Sequence, residues 1–336
     1  MIIVLLSIIL SLAPVLLFLC ALVFLDSYKL VSLRSVLAAL GIGILTAGCS
    51  YLINSSILQS ALVSHEIVTG IIAPIIEETL KSMYVLYLFR RKKVGFIVDT
   101  AIYGAAIGAG FSVIENLYYI ASIPDADFQL WIIRGFGTAI MHGGTTSVFG
   151  ILSYSVFEKK ESRRSIAIIP VLSIAIAFHS LFNLFTLNPF VKTIIVVMVI
   201  PLTIILAFSQ SEKATRKWLE INFDTDIDVL RMLNSGNITS THIGAYLSSL
   251  TSKFKNEIVA DMLCYLRLHL ELSIRAKGIL MMREAGYTIK PDDEVRAQFA
   301  ELNYLEKSIG HTGALALKPL LRLRNRDLWQ LHMLKS

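Results

Sequence analysis

Charge is what this sequence has least of. Only 17% of its 336 residues are Asp, Glu, Lys or Arg and 55% are hydrophobic, whereas soluble domains carry about a quarter charged residues. The deficit excludes an ordinary soluble fold and leaves an integral membrane protein. Cysteine is nearly as scarce. Cys20, Cys49 and Cys264 stand far apart, with none of the paired spacings of a zinc or redox motif, and read as small apolar fillers. The first 26 residues lack a basic leader and a small-x-small cleavage site, and bulky Phe18 and Leu19 stand where a lipoprotein box needs small residues. That start reads as a retained span rather than a removed signal. Also missing are a Ser-x-Gly elbow, HExxH, and paired membrane aspartates with a GxGD pattern. Serine, zincin-like and aspartyl intramembrane hydrolysis are therefore disfavoured. Internal repeats and low-complexity tracts are absent too.

What is present is a series of long apolar runs. About twenty apolar residues are needed per spanning helix, and seven segments qualify: 2–25, 36–58, 62–89, 96–121, 128–157, 166–187 and 190–209. They are continuous rather than alternating, which points to helices and not to a barrel. The expected fold is an all-α polytopic membrane protein with about seven transmembrane helices. Although the net charge is +6, the basic residues cluster between the runs, the pattern of membrane orientation and not of nucleic-acid binding. Lys29 and Arg34, RRKK (90–93), KKESRR (159–164), and Lys213, Arg216 and Lys217 follow alternate spans, while the other loops hold only Lys192. This distribution predicts an N-terminus outside and a C-terminus in the cytoplasm.

From residue 210 to 336 the composition becomes that of a small cytoplasmic all-helical domain, separate from the transmembrane domain at 1–209. A helical periodicity over 257–286 ends at Gly286. A second helix opens at Pro291 with two acids behind it and ends at Gly310, followed by a basic tail, KPLLRLRNR.

Against this background the ionisable residues inside the spans stand out: Glu77, Glu78 and Lys81, Asp99 and Glu115, Arg134 and His142, and His179. Each has a plain structural explanation. Lys81 is three and four residues from the glutamates, a spacing that suits an ion pair within one helix. A lone His in an apolar helix is commonly a hydrogen-bonded core residue. Arg134 lies near an outer end and is expected to snorkel, and Asp99 to cap a helix at the interface. Depth argues for more. Counting about 1.5 Å per residue from the cytoplasmic basic clusters puts Glu77 and Glu78 about 18 Å in, His179 about 22 Å and His142 about 25 Å, while Glu115 is about 33 Å from Lys93, or about 24 Å in if its helix starts at Asp99. Costly groups from four successive helices thus share one layer, as a site would require. Gly104, Gly108, Gly135, Gly137, Gly143 and Gly144 allow close helix approach, and Pro74 is expected to bend the third span just ahead of the glutamates. An ionised Glu could take a proton from water while a His and Asn183 donate to the oxyanion of a peptide carbonyl. Such residues also suit a proton or cation relay in a transporter, and a non-catalytic signalling membrane protein is the third option.

The motifs EETLK, FSVIEN, MHGGTTS and HSLFN, in this order on four consecutive spans within about 61–190, resemble the PrsW family of bacterial intramembrane proteases, relatives of the CAAX-prenyl and bacteriocin-processing proteases. The resemblance implies a multi-pass protein of the cytoplasmic membrane that cuts a membrane-protein substrate toward its outer side, as the founding member cuts an anti-sigma factor. It implies that Glu77 and Glu78 are an essential acidic pair, that Glu115, His142 and His179 complete the centre, and that Lys81, Asn116 and Asn183 support it. Lys81 and Glu115 depart from the CAAX-protease pattern, which argues against prenyl-protein processing. The cofactor stays open: a zinc ion on Glu115, His142 and His179 is one option, and glutamate-activated water without a metal is the other.

Overall fold

The computed structural model describes residues 2–123, 126–158, 164–184, 187–235, 241–287, 293–321, 329, 331, 333 and 334. Among them the secondary structure is helical, with no strand, and the chain is an all-α polytopic membrane protein. Pro291, all of the KKESRR cluster but Arg164, and most of the basic tail lie outside the described residues. The chain divides into two compact units, Met1–Glu212 and Lys213–Ser336.

Among the described residues, five helices are long and apolar enough to cross a bilayer: α1 (Ile2–Phe24), α2 (Leu33–Gln59), α5 (Ile97–Ser122) and α8 (Arg164–Asn183) in the first unit, and α9 (Pro189–Asn234), which begins there. The two other expected segments are helical but interrupted. One runs as α3 (His65–Ile67), a π-helical turn Val68–Ile72 and α4 (Ala73–Arg90). The other runs as α6 (Phe128–Ile132), a π-helical turn Ile133–Ala139 and α7 (Ile140–Glu158). Pro74 has no N–H to give a carbonyl four residues back, and the expected bend takes the form of the π-turn ahead of it. Such wide turns gather at functional sites, and each of these stands just before site residues.

Helix α5 is the centre of this unit. Its apolar stretch is 83% buried, against 28% or less in the other four, and it packs against α7, α2 and α1. The run GAAIGAG at 104–110 leaves little side chain between it and its neighbours. Gly108 shows the consequence: a Cβ there would overlap the carbonyl oxygen of His142 on α7. The helix start is capped as expected, with Asp99 Oδ2 accepting from the backbone N–H of Gly95 (2.7 Å) and Phe96 (3.2 Å).

The second unit contains the end of α9, α10 (His242–Leu250), α11 (Asn256–Glu284) and α12 (Asp293–Leu317). Leu247, Leu250, Met262, Leu266, Ile309 and Leu317 form its apolar centre. Gly286 and Gly310 take left-handed φ of 89° and 66°. The first follows the end of α11; the second kinks α12 rather than ending it.

Candidate active site

Four stretches of helix supply the ionisable groups: α4 gives Glu77, Glu78 and Lys81, α5 gives Glu115, the Ile133–Ala139 turn and α7 give Arg134 and His142, and α8 gives His179. The fold brings all of them into one network. Glu78 and Lys81, one helical turn apart and both fully enclosed, pair at 2.5 Å. The same oxygen, Glu78 Oε1, accepts from His179 Nδ1 at 2.9 Å and from Thr145 Oγ1 at 3.5 Å. Lys81 Nζ also lies 3.1 Å from His142 Nδ1, and His142 Nε2 lies 2.8 Å from Glu115 Oε2. Arg134 Nη2 meets the other oxygen of Glu115 at 3.1 Å. At the opposite end, His179 Nε2 faces Glu77 Oε2 at 3.9 Å, and Asn54 Nδ2 donates to Glu77 Oε1 at 3.3 Å.

These contacts decide where the protons sit. An ammonium has donors only, so Nδ1 of His142 accepts from Lys81 and its Nε2–H donates to Glu115. A carboxylate only accepts, so His179 gives its Nδ1–H to Glu78 and keeps a bare Nε2 toward Glu77. The two rings stand edge to face, their centroids 4.8 Å apart. Two ion pairs, Arg134 with Glu115 and Lys81 with Glu78, linked by neutral imidazoles, offset the cost of burying charge, which a paired ion can meet.

Exposure separates the carboxylates. The Glu78 side chain is 1% exposed, while Glu77 keeps 15% and Glu115 26%. Glu77 and Glu115 are therefore the carboxylates at the accessible edges of the network.

Some expected supporting residues do other work. Asn183 Nδ2 donates to the carbonyl of Thr69 at 3.0 Å, which ties α8 to the Val68–Ile72 turn. Asn116 accepts from Arg134 Nε at 2.9 Å and donates to the carbonyl of Ser11 at 2.8 Å. Arg134 does not snorkel: it is buried in its π-turn, with its guanidinium 3.7 Å from the Tyr119 ring centroid. The signal for it was a single Arg between Ile133 and Gly135 in an otherwise uncharged run, two turns before His142. Thr145 stands in the MHGGTTS motif, while Asn54 carried no comparable signal.

A metal has a set of suitable donors. Among the described residues, Glu77, His142 and His179 each offer a ligand atom, all within 4.8 Å of one another. Two imidazoles and a carboxylate match the three-ligand pattern of catalytic zinc, and Glu78 behind His179 is the carboxylate brace such ligands commonly have, but His142 would have to give up its hydrogen bond from Lys81 to bind. The carboxylate offered is Glu77 and not the expected Glu115, because Glu115 is held by Arg134 and His142.

The fold and the site thus define a polytopic helical membrane protein with a buried cluster of carboxylates and imidazoles. The model of the PrsW family, described as intramembrane metalloproteases, matches residues 31–207, more than half of the chain, and the chain belongs to that family. It is a membrane-embedded peptidase with membrane-protein substrates. No curated protein and no solved structure matches the chain.

Proposed function

We propose that this protein hydrolyses a peptide bond of a single-span membrane protein with water activated by Glu77. One observation supports this reading above the others: Glu77 Oε2 and the bare Nε2 of His179 face each other at 3.9 Å at an accessible edge of the network. Two acceptors so placed take both O–H groups of one water and leave its lone pair free to attack. Glu78 is less suited to the task, because its Oε1 already accepts from Lys81 and His179. Its role is to keep the Nδ1 proton on His179 and so keep Nε2 an acceptor.

In this reading Glu77 accepts a proton as the water oxygen bonds to the scissile carbonyl carbon. The C–N bond then breaks as the leaving nitrogen takes the proton back from Glu77, leaving a carboxylic acid and an amine, and the acid's proton then passes to the amine to give carboxylate and ammonium. If a divalent cation is bound, Glu77, His142 and His179 would hold it, and it would supply Lewis-acid polarisation of the carbonyl. The basic clusters support an N-terminus outside and residues 210–336 in the cytoplasm. With the family resemblance they favour the cytoplasmic membrane as the location and the outer side as the place of cleavage.

The test compares membrane proteomes of cells carrying the native chain and the Glu77→Gln chain at equal abundance. Single-span precursors should accumulate with the variant. Identical proteomes would remove the proposed role of Glu77, and proteoliposome flux that depends on Glu115 without cleavage would favour a transporter.

A further inference from the structure

We infer that Asn54 is a positioning residue for the reaction: its side-chain amide, reaching from α2, holds one oxygen of Glu77 and so aims the other at the reacting water. The inference rests on the proposed role of Glu77 and adds the residue that orients it.

Asn54 stands near the end of α2, where a polar side chain has an easier course. Ser56 and Ser60 turn their hydroxyls back to the carbonyls of Leu52 (2.8 Å) and Ile57 (2.6 Å) of the same helix. Asn54 instead reaches across to α4, where Nδ2 donates to Glu77 Oε1 at 3.3 Å. Among the described residues no other group hydrogen-bonds this carboxylate. His179 Nε2, 3.9 Å from Oε2, faces it from beyond hydrogen-bond distance. The direction of the Glu77 carboxylate is therefore set from α2.

The bond leaves a cost behind. A carboxylate only accepts, so the amide must turn its nitrogen to Glu77 and its oxygen away. There Oδ1 is buried, with no hydrogen-bond partner among the described residues. An unpaired buried acceptor lowers stability, and a leucine, which has nearly the same shape, would avoid it. Stability alone gives no reason for an asparagine at this position. A hold on Glu77 does.

The helix that carries Asn54 is locked against its neighbour. A Cβ on Gly43 would overlap the carbonyl oxygen of Ile107 on α5, and one on Gly110 would overlap that of Leu40 on α2. Tyr51, about one turn before Asn54, meets the ring of Tyr118 on α5 with centroids 5.1 Å apart. With α2 so fixed, the amide comes to Glu77 from a set direction, and Oε2 is the oxygen left toward His179. Without the amide the carboxylate can turn, and a displacement near 1 Å costs about 100-fold in rate.

The test separates aim from stability. Asn54→Leu keeps the shape and removes both ends of the amide, while Asn54→Gln keeps the donor on a longer arm. These full-length chains, with the native and Glu77→Gln chains for reference, are expressed at equal abundance. Pulse labelling follows the single-span precursors that accumulate with Glu77→Gln, and the purified chains are unfolded in detergent micelles. Asn54→Leu should process the precursors about 100-fold more slowly with an unfolding midpoint at or above native, and Asn54→Gln should recover part of the rate. Native processing by Asn54→Leu beside a blocked Glu77→Gln would overturn this inference and leave the role of Glu77 standing. A lowered midpoint or poor accumulation of Asn54→Leu would mark the residue as structural and overturn it too, as would equal rates for Asn54→Leu and Asn54→Gln. If Glu77→Gln accumulates no precursor, the role of Glu77 falls and the aim of Asn54 with it.

Discussion

The ammonium of Lys81 lies 3.1 Å from Nδ1 of His142, on a helix that enters the chain 61 residues later. One cation on α4 thereby sets the tautomer of an imidazole on α7, while holding Glu78 at 2.5 Å. The pairing explains why the chain keeps a lysine in a place no water reaches. It also makes Lys81 the point on which the two halves of the network meet.

Removing that cation should cost stability. Lys81→Met leaves Glu78 buried without its counter-ion, and breaking one side of a buried pair typically costs about 3–5 kcal/mol. Thermal unfolding in micelles should show a large loss for Lys81→Met and a smaller one for Lys81→Met with Glu78→Gln. Additive losses would mean that the pair is not coupled as described.

The two adjacent glutamates should behave differently. Glu77 has Asn54 as its hydrogen-bond partner and is partly open, so Glu77→Gln should leave the melting temperature near native. Loss of a general base should lower cleavage about 100-fold or more. Glu78→Gln should lower both, because Lys81 and His179 lose the charge they hold. Equal effects on stability would show that exposure does not separate their roles.

Gly108 tests the close approach of α5 to α7. The overlap of a Cβ with the His142 carbonyl is with backbone and not with a flexible side-chain end, so Gly108→Val must push the helices apart. An overpacked site of this kind costs about 1–3 kcal/mol. Cleavage should fall further than that of Gly41→Val, whose Cβ meets nothing within 4 Å. Gly108→Val with native activity would rule out a precise role for this contact.

The second unit should be acid-sensitive through His269. Burial first, and Lys277 next to it, push this imidazole down to about 4, with Asp226 acting the other way. The folded value is below the ordinary 6.5, so the neutral form's stability is fully present above pH 6.5. It is lost as pH falls from there toward 4, by up to about 3 kcal/mol. Urea midpoints followed by Trp218, in a Trp131→Phe and Trp329→Phe background, should fall across this range and flatten in His269→Leu. A native midpoint that does not move with pH would refute the burial of a neutral ring.

The membrane class and the helical runs were legible because hydrophobicity needs no partner to be seen. So was the order of the four motifs, and so was the cap made by Asp99, since a cap is a local contact. Arg134 was not legible: whether a long cation turns outward to water or inward to Glu115 depends on what the neighbouring helices place beside it. The same holds for the bond from Asn183 to the Thr69 carbonyl, which the spacing from His179 did not announce.

Taken by itself, the sequence determined that the chain is helical, membrane-embedded and supplied with Glu77, Glu78, Glu115, His142 and His179 in successive spans, because local composition and spacing carry that information. Only the tertiary structure decided which oxygen meets which nitrogen. Charges in an apolar interior need partners, and apart from the Glu78–Lys81 pair within α4 the contacts of Lys81, Arg134 and both histidines come from 18 to 101 residues away.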